Sequence, residues 1–182
     1  MRFIKRILFL LLIPASVYGQ TVHIDEDKNI VYKGTNKVTS VNKEELYERA
    51  KDALLHNVKG SKEKIVTDNK ESGMIAAKGS IRLASPYHLI RTVEYIFELF
   101  VDDENYKYRI DSVYVKQVER GGKTIKISSE KLFEGIEETG PQSAEAERQL
   151  NEIDMNFQKL IVLMNADMKK ASVVKNKKRR NN

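Results

Sequence analysis

The 182-residue chain is 41% hydrophobic and contains no cysteine, which excludes disulfides, thiol nucleophiles and a lipid-modified cysteine. Its formal charge of +6 resembles a nucleic-acid signal, but Arg2, Lys5 and Arg6 hold three of the positive charges. Lys169, Lys170, Lys175, Lys177, Lys178, Arg179 and Arg180 hold seven more, so residues 20–168 carry −4 and offer no basic face to neutralise phosphates.

The first element is the N-terminal order of Arg2, Lys5 and Arg6, the apolar run Ile7 to Ile13, then Pro14 and the small-residue stretch ending Val17-Tyr18-Gly19. This is the charged, apolar and cleavage order of a signal peptide, with cleavage expected between Gly19 and Gln20. A spanning helix needs about 20 mostly apolar residues, and Pro14, Ser16 and Gln20 interrupt the run too early. The expectation is an extracytoplasmic protein, periplasmic or secreted, not a lipoprotein and without a transmembrane segment after processing. About 160 residues would remain, enough for one domain and an extra element but not for two cores.

Residues 20–28 read as an N-terminal arm. Asp25, Asp27 and Asn29 imitate a calcium loop, but Ile30 stands where such a loop needs glycine and Asn36 where it needs glutamate, so a turn is expected there and no metal. Asn29 to Val38 reads as a short strand with Ile30, Tyr32 and Val38 on one face. A helix follows, with Asn42 as cap, Glu45 returning the bond and Val41 stapling onto Leu46. Its apolar stripe is Leu46, Ala50, Ala53, Leu54 and Val58, and Lys59-Gly60-Ser61 ends it.

Ile65–Thr67 and Met74–Leu83 read as a hairpin, in which Gly79 marks a bulge or a close backbone approach. Leu89–Val101 and Tyr106–Lys116 form a longer hairpin across Asp102-Asp103-Glu104-Asn105. With Val101 opposite Tyr106, the residues Val93, Tyr95, Phe97 and Leu99 face Tyr114, Ser112, Ile110 and Tyr108, while Glu98 faces Arg109 on the reverse side. A slip of one residue would break both agreements. Gly121-Gly122 reads as a two-residue turn pairing Val118 with Ile125 and Lys116 with Ile127.

Beyond Ser128 a helical turn around Lys131-Leu132-Phe133 leads to Gly140-Pro141. From Ser143 the residues Ala146, Leu150, Ile153, Phe157, Leu160, Ile161, Met164 and Met168 trace one helical stripe over about seven turns. That stripe either lies on the domain or seals a dimer. The end of the chain, with its Lys/Arg block, reads as a solvated tail, since like charges repel and cannot bury a core.

The segment Val41-Asn42-Lys43-Glu44-Glu45-Leu46-Tyr47-Glu48-Arg49-Ala50, followed by Ser72-Gly73-Met74-Ile75-Ala76-Ala77-Lys78-Gly79-Ser80, resembles the secreted bacterial domain of unknown function numbered 4468, described as having a TBP-like fold. The likeness runs from roughly Asn29 to Val118 and departs at Ala53, where a large residue is expected. It implies a curved antiparallel β-sheet with helices packed on one face, and no activity. The fold class is therefore α+β, a TBP-like domain over 29–127, followed by a helical extension over 128–170 with its long amphipathic helix and a basic tail over 171–182.

No constellation of catalytic groups stands out. His23, His56 and His88 show no metal-ligand spacing, Ser80, Ser85 and Ser112 lack an elbow-type glycine pattern, and Gly121-Gly122 is no phosphate loop. Asp102 and Asp103 are adjacent acids on a hairpin tip, an arrangement that is usually solvated. No cofactor is implied. The reading is a non-enzymatic binding or assembly module of the envelope, the alternative being a hydrolase or transferase of unrecognised type. Tyr95, Tyr106, Tyr108 and Tyr114 are the candidate contact surface, if they do not simply form core. Candidate partners are another envelope protein or a second copy through the C-terminal helix. Nucleic acid, which the TBP label suggests, conflicts with the acidic body.

Overall fold

The computed structural model describes residues 23–59, 65–85, 89–119, 121–137 and 139–170. The expected signal segment with its Gly19/Gln20 cleavage site, Gly60-Ser61, His88 and the basic tail lie outside the described residues.

The chain order is β1 (Tyr32–Lys37), α1 (Lys43–Asn57), β2 (Ile65–Asn69), β3 (Met74–Leu83), β4 (Ile90–Asp102), β5 (Asn105–Val118), β6 (Thr124–Ser128), α2 (Ser129–Glu137) and α3 (Pro141–Lys169). The strands form one antiparallel sheet in the order β1-β5-β4-β3-β2, with β6 pairing the C-terminal half of β5 beyond the reach of β1. Along β4 every second residue from Arg91 to Val101 is buried, so one sheet face meets the helices and the other carries the polar residues.

Each local start has a visible cause. Asp25 Oδ1 accepts from the backbone N–H groups of Asp27 and Asn29, which makes the expected turn and lets Ile24 bridge to Ile30. Asn42 caps α1, its Oδ1 accepting from Glu45 N at 2.9 Å, and Val41 and Leu46 are both buried beside it. All five residues of the α1 stripe are buried. Pro141 opens α3 behind Gly140, whose φ of +93° is open to glycine and strained for other residues.

The β4–β5 pairing follows the expected register from Asp102↔Asn105 through Glu98↔Arg109 and Phe97↔Ile110 to Ile96↔Asp111. There it shifts. Ser112, at φ +52°, sits in a bulge, and beyond it Glu94 faces Tyr114 and Val93 faces Val115. The expected pairs Val93–Tyr114 and Tyr95–Ser112 are thus corrected. Without the extra residue Val113 and Val115 would point to solvent; with it both are buried. The ion pair expected between Glu98 and Arg109 gives way to one between Arg109 and Asp111 at 2.6 Å.

The β5–β6 connection is also one residue longer than expected. Val118 pairs with Thr124 and Val115 with Ile127, closed by Glu119 N to Lys123 O at 2.9 Å, in place of Val118–Ile125 and Lys116–Ile127. Cross-strand partners share a face, and this register puts Ile127 with the buried Val115 instead of with a lysine.

Helix α3 lays its stripe on the domain. All eight expected residues, Ala146 through Met168, are buried, and α3 packs against α1, α2 and β3. The stripe therefore lies on the domain. Two polar residues missed by the apolar pattern, Gln149 and Asp154, are buried with it.

Candidate functional site

Beneath α3, Phe157 inserts edge-on between Tyr32 of β1 and Tyr95 of β4, with ring centroids 5.3 and 5.0 Å apart. The Tyr32 hydroxyl donates to Asp154 Oδ1 at 2.6 Å, and burial together with that carboxylate holds the phenol far above its ordinary pKa. This contact pins the middle of α3 to the sheet.

Two tyrosines reach sideways from this line because their cross-strand partners are glycines. Gly79 lies opposite Tyr95, and a Cβ placed on it would fall 2.3 Å from the ring carbon bearing the hydroxyl. Gly34 lies opposite Tyr108, where the same Cβ would fall 2.6 Å from the ring. The sequence expectation for Gly79, a bulge or a close approach, resolves as the close approach of a side chain.

Each ring borders a cleft on one flank of α3. The first cleft, about 310 Å³, is lined by His23, Asp25, Tyr32, Lys33, Tyr108 and Gln158, among others. The second, 210 Å³, lies between β3, the end of α1 and α3, and is lined by Lys59, Ile81, Tyr95, Lys159, Leu160 and Leu163 together with Asn57, Ser80 and Asn156. Tyr95 is only 2% exposed, and its hydroxyl meets no hydrogen-bond partner among the described residues. Burial alone raises its pKa. The amides of Asn57 and Asn156 are already used, Asn57 on Ala53 O and Asp167 Oδ2, Asn156 on Glu152 O.

The four tyrosines proposed as a contact surface do not come together. Tyr95 and Tyr106 are buried, the latter donating to Asn165 Oδ1 at 2.6 Å and pushed up to about 12 by burial. Tyr108 is half-buried at the first cleft. The bulge at Ser112 turns Tyr114 to the opposite face, where it donates to Glu94 under Lys126, whose Nζ lies 4.4 Å from the ring centroid. Glu94 is held below the ordinary carboxylate range by that hydrogen bond and by Lys78. The signal that separates them in sequence is the pair of glycines opposite Tyr95 and Tyr108.

The other candidate groups have structural partners. His56 Nδ1 lies 3.1 Å from Asp167 Oδ2, and His23 packs edge-on against Tyr32. Asp103 Oδ1 accepts from Lys43 N at 2.8 Å and Glu104 Oε1 from Ser40 N at 2.9 Å. The acidic hairpin tip thus stays exposed, as expected, while its carboxylates satisfy donors at the start of α1. Among the described residues no group of three or more His, Asp or Glu could hold a metal ion.

This arrangement, a six-stranded sheet roofed by α1 and α3, has relatives. Residues 32–116 match the model of the domain of unknown function DUF4468 with TBP-like fold. These residues are similar to that family over a little under half of the chain. The fold is similar to that of a TBP-like protein from Parabacteroides distasonis ATCC 8503, with a TM-score of 0.66 at 11% identity over 83% of this chain and 99% of that one. A DUF4468 family protein from Bacteroides ovatus ATCC 8483 aligns with a TM-score of 0.52 at 15% identity, over 81% and 91% of the two chains. A search among curated proteins finds no match. The matched segment ends inside β5, so α3, which roofs both clefts, lies outside it while sharing its core. No helix among the described residues is long and apolar enough to cross a membrane.

Proposed function

We propose that this protein is exported from the cytoplasm and works as a non-enzymatic binding module of the cell envelope, with its ligand seated in the Tyr95 cleft. The observation that carries the reading is the Tyr95 hydroxyl. Tyr95 lines the cleft, its hydroxyl bonds no described residue, and it is not one of the fully buried polar atoms left unmet. A ligand acceptor in the cleft would take a hydrogen bond that no described residue uses. The described lining adds the apolar side chains of Ile81, Leu160 and Leu163 and the lysines Lys59 and Lys159. Such a set orients a small molecule and contains no nucleophile paired with a base.

Native mass spectrometry of the protein purified from the envelope of cells expressing the full chain tests this. The expected result is a small molecule retained by the wild type and released on denaturation, with Tyr95→Phe losing most of it. Equal occupancy in the two proteins, or bare protein in both, would show that the cleft is not the site.

A further inference from the structure

We infer that the Tyr95 cleft selects a small amphipathic anion, a carboxylate on a short apolar body. The inference rests on the binding reading above and adds the class of ligand.

Charge comes first. Lys59 and Lys159 line the cleft from the end of α1 and from α3, and neither belongs to an ion pair among the described residues. Some other lysines are matched, Lys51 to Asp68, Lys70 to Glu48, Lys78 to Glu94 and Lys170 to Asp167, while Lys33, Lys37 and Lys107, like these two, have no ion pair among the described residues. The described lining contains no carboxylate. The acid next to it, Asp167, accepts from Lys170 and from Asn57, which hold it below the ordinary aspartate range. In the described lining the donors that remain unengaged are two ammonium groups, the Tyr95 phenol and the Ser80 hydroxyl, all of which can take an acceptor.

Shape comes second. Ile81, Leu160 and Leu163 supply the apolar wall, and at 210 Å³ the cleft is smaller than the roughly 300–1,000 Å³ typical of drug-sized ligands. An anionic head between the lysines, within reach of the Tyr95 hydroxyl, with a chain of a few methylenes along Leu160 and Leu163, meets both ammonium groups and the phenol. A divalent cation or a cationic amine would meet two positive charges and, among the described lining residues, no counter-charge.

The test is a titration of isotope-labelled full-length protein with hexanoate, hexanol and hexylamine, read by the amide shifts of Ile81, Lys159 and Leu160. Saturable shifts with hexanoate are expected, at least tenfold weaker binding in the Lys59→Gln/Lys159→Gln double variant, and no saturable binding of hexylamine. Hexanol binding as tightly as hexanoate, with the double variant unaffected, would overturn the anion class while leaving the binding site standing. Hexylamine binding as tightly would do the same. If none of the three shifts these residues, the site and its ligand class fall together.

Discussion

At Gly79 the hydrogen in place of a side chain is what lets Tyr95 lie across β3. Gly79→Ala puts a methyl into a ring that Phe157 already packs from the other side, and overpacking of this kind costs about 1–3 kcal/mol. Gly34→Ala meets Tyr108, which is half-buried and freer to yield, so its cost is expected to be smaller. Urea denaturation of both variants checks the order, and a Gly79→Ala protein as stable as wild type would mean that Tyr95 has another place to go. In the same core, Phe97 is wholly buried opposite Ile110, and Phe97→Ala is expected to cost about 3–5 kcal/mol. Its neighbour Glu98 faces the other side and gains no ion pair, since Arg109 is taken by Asp111. Glu98→Ala is therefore expected to cost under about 1 kcal/mol. Similar losses for the two variants would contradict the face assignment.

At the scale of elements, α3 is held by more than its apolar stripe. Glu145 receives Arg91 of β4 and Arg148 of its own helix, and Arg148 continues to Glu152 and to the carbonyl of Ala84 at the end of β3. Ala84 N in turn donates to Glu152 Oε1 at 2.7 Å. The hydrogen bond from Arg148, then that from Arg91, holds the Glu145 carboxyl below its ordinary value of 4.5, against the opposing effect of burial. A carboxylate with a depressed folded pKa stabilises the fold above its unfolded pKa, and the contribution disappears as pH falls through the folded value. Glu145→Gln should thus cost about 1–3 kcal/mol at pH 7, a difference that shrinks once the pH drops below about 4.5. Denaturation curves for both proteins at pH 7 and pH 3 measure it. A pH-independent difference would assign the loss to packing instead of charge.

For the whole molecule, the reading depends on where it resides. The order of Arg2, Lys5 and Arg6, the apolar run and Val17-Tyr18-Gly19 is the basis for expecting the envelope protein to begin at Gln20. Intact-mass measurement of the exported form checks this, and retention of residues 1–19 would remove the basis for an envelope role. The body is acidic once its two basic ends are set aside, which is the basis for expecting no nucleic-acid partner in spite of the TBP-like shape.

Legible in the sequence were the elements, their buried faces and the outer half of the β4–β5 register, because each is written in a local period: two for strands, 3.6 for helices. Asn42 and Pro141 mark their helix starts for the same reason, acting on groups within one turn. What lay beyond reach depends on contacts between distant segments. Val113 and Val115 can be inward only if an extra residue is spent at Ser112, and that depends on the helices that cover the face. Tyr114 left the presumed tyrosine surface for this reason alone. The acidic tip meets Lys43 across 60 residues, and Tyr32 finds Asp154 across 122. No periodicity connects such partners. The Tyr95 cleft is of this kind too: its glycine, its lysines and its roof come from β3, α1 and α3, and only the packing of α3 on the sheet brings them to one place.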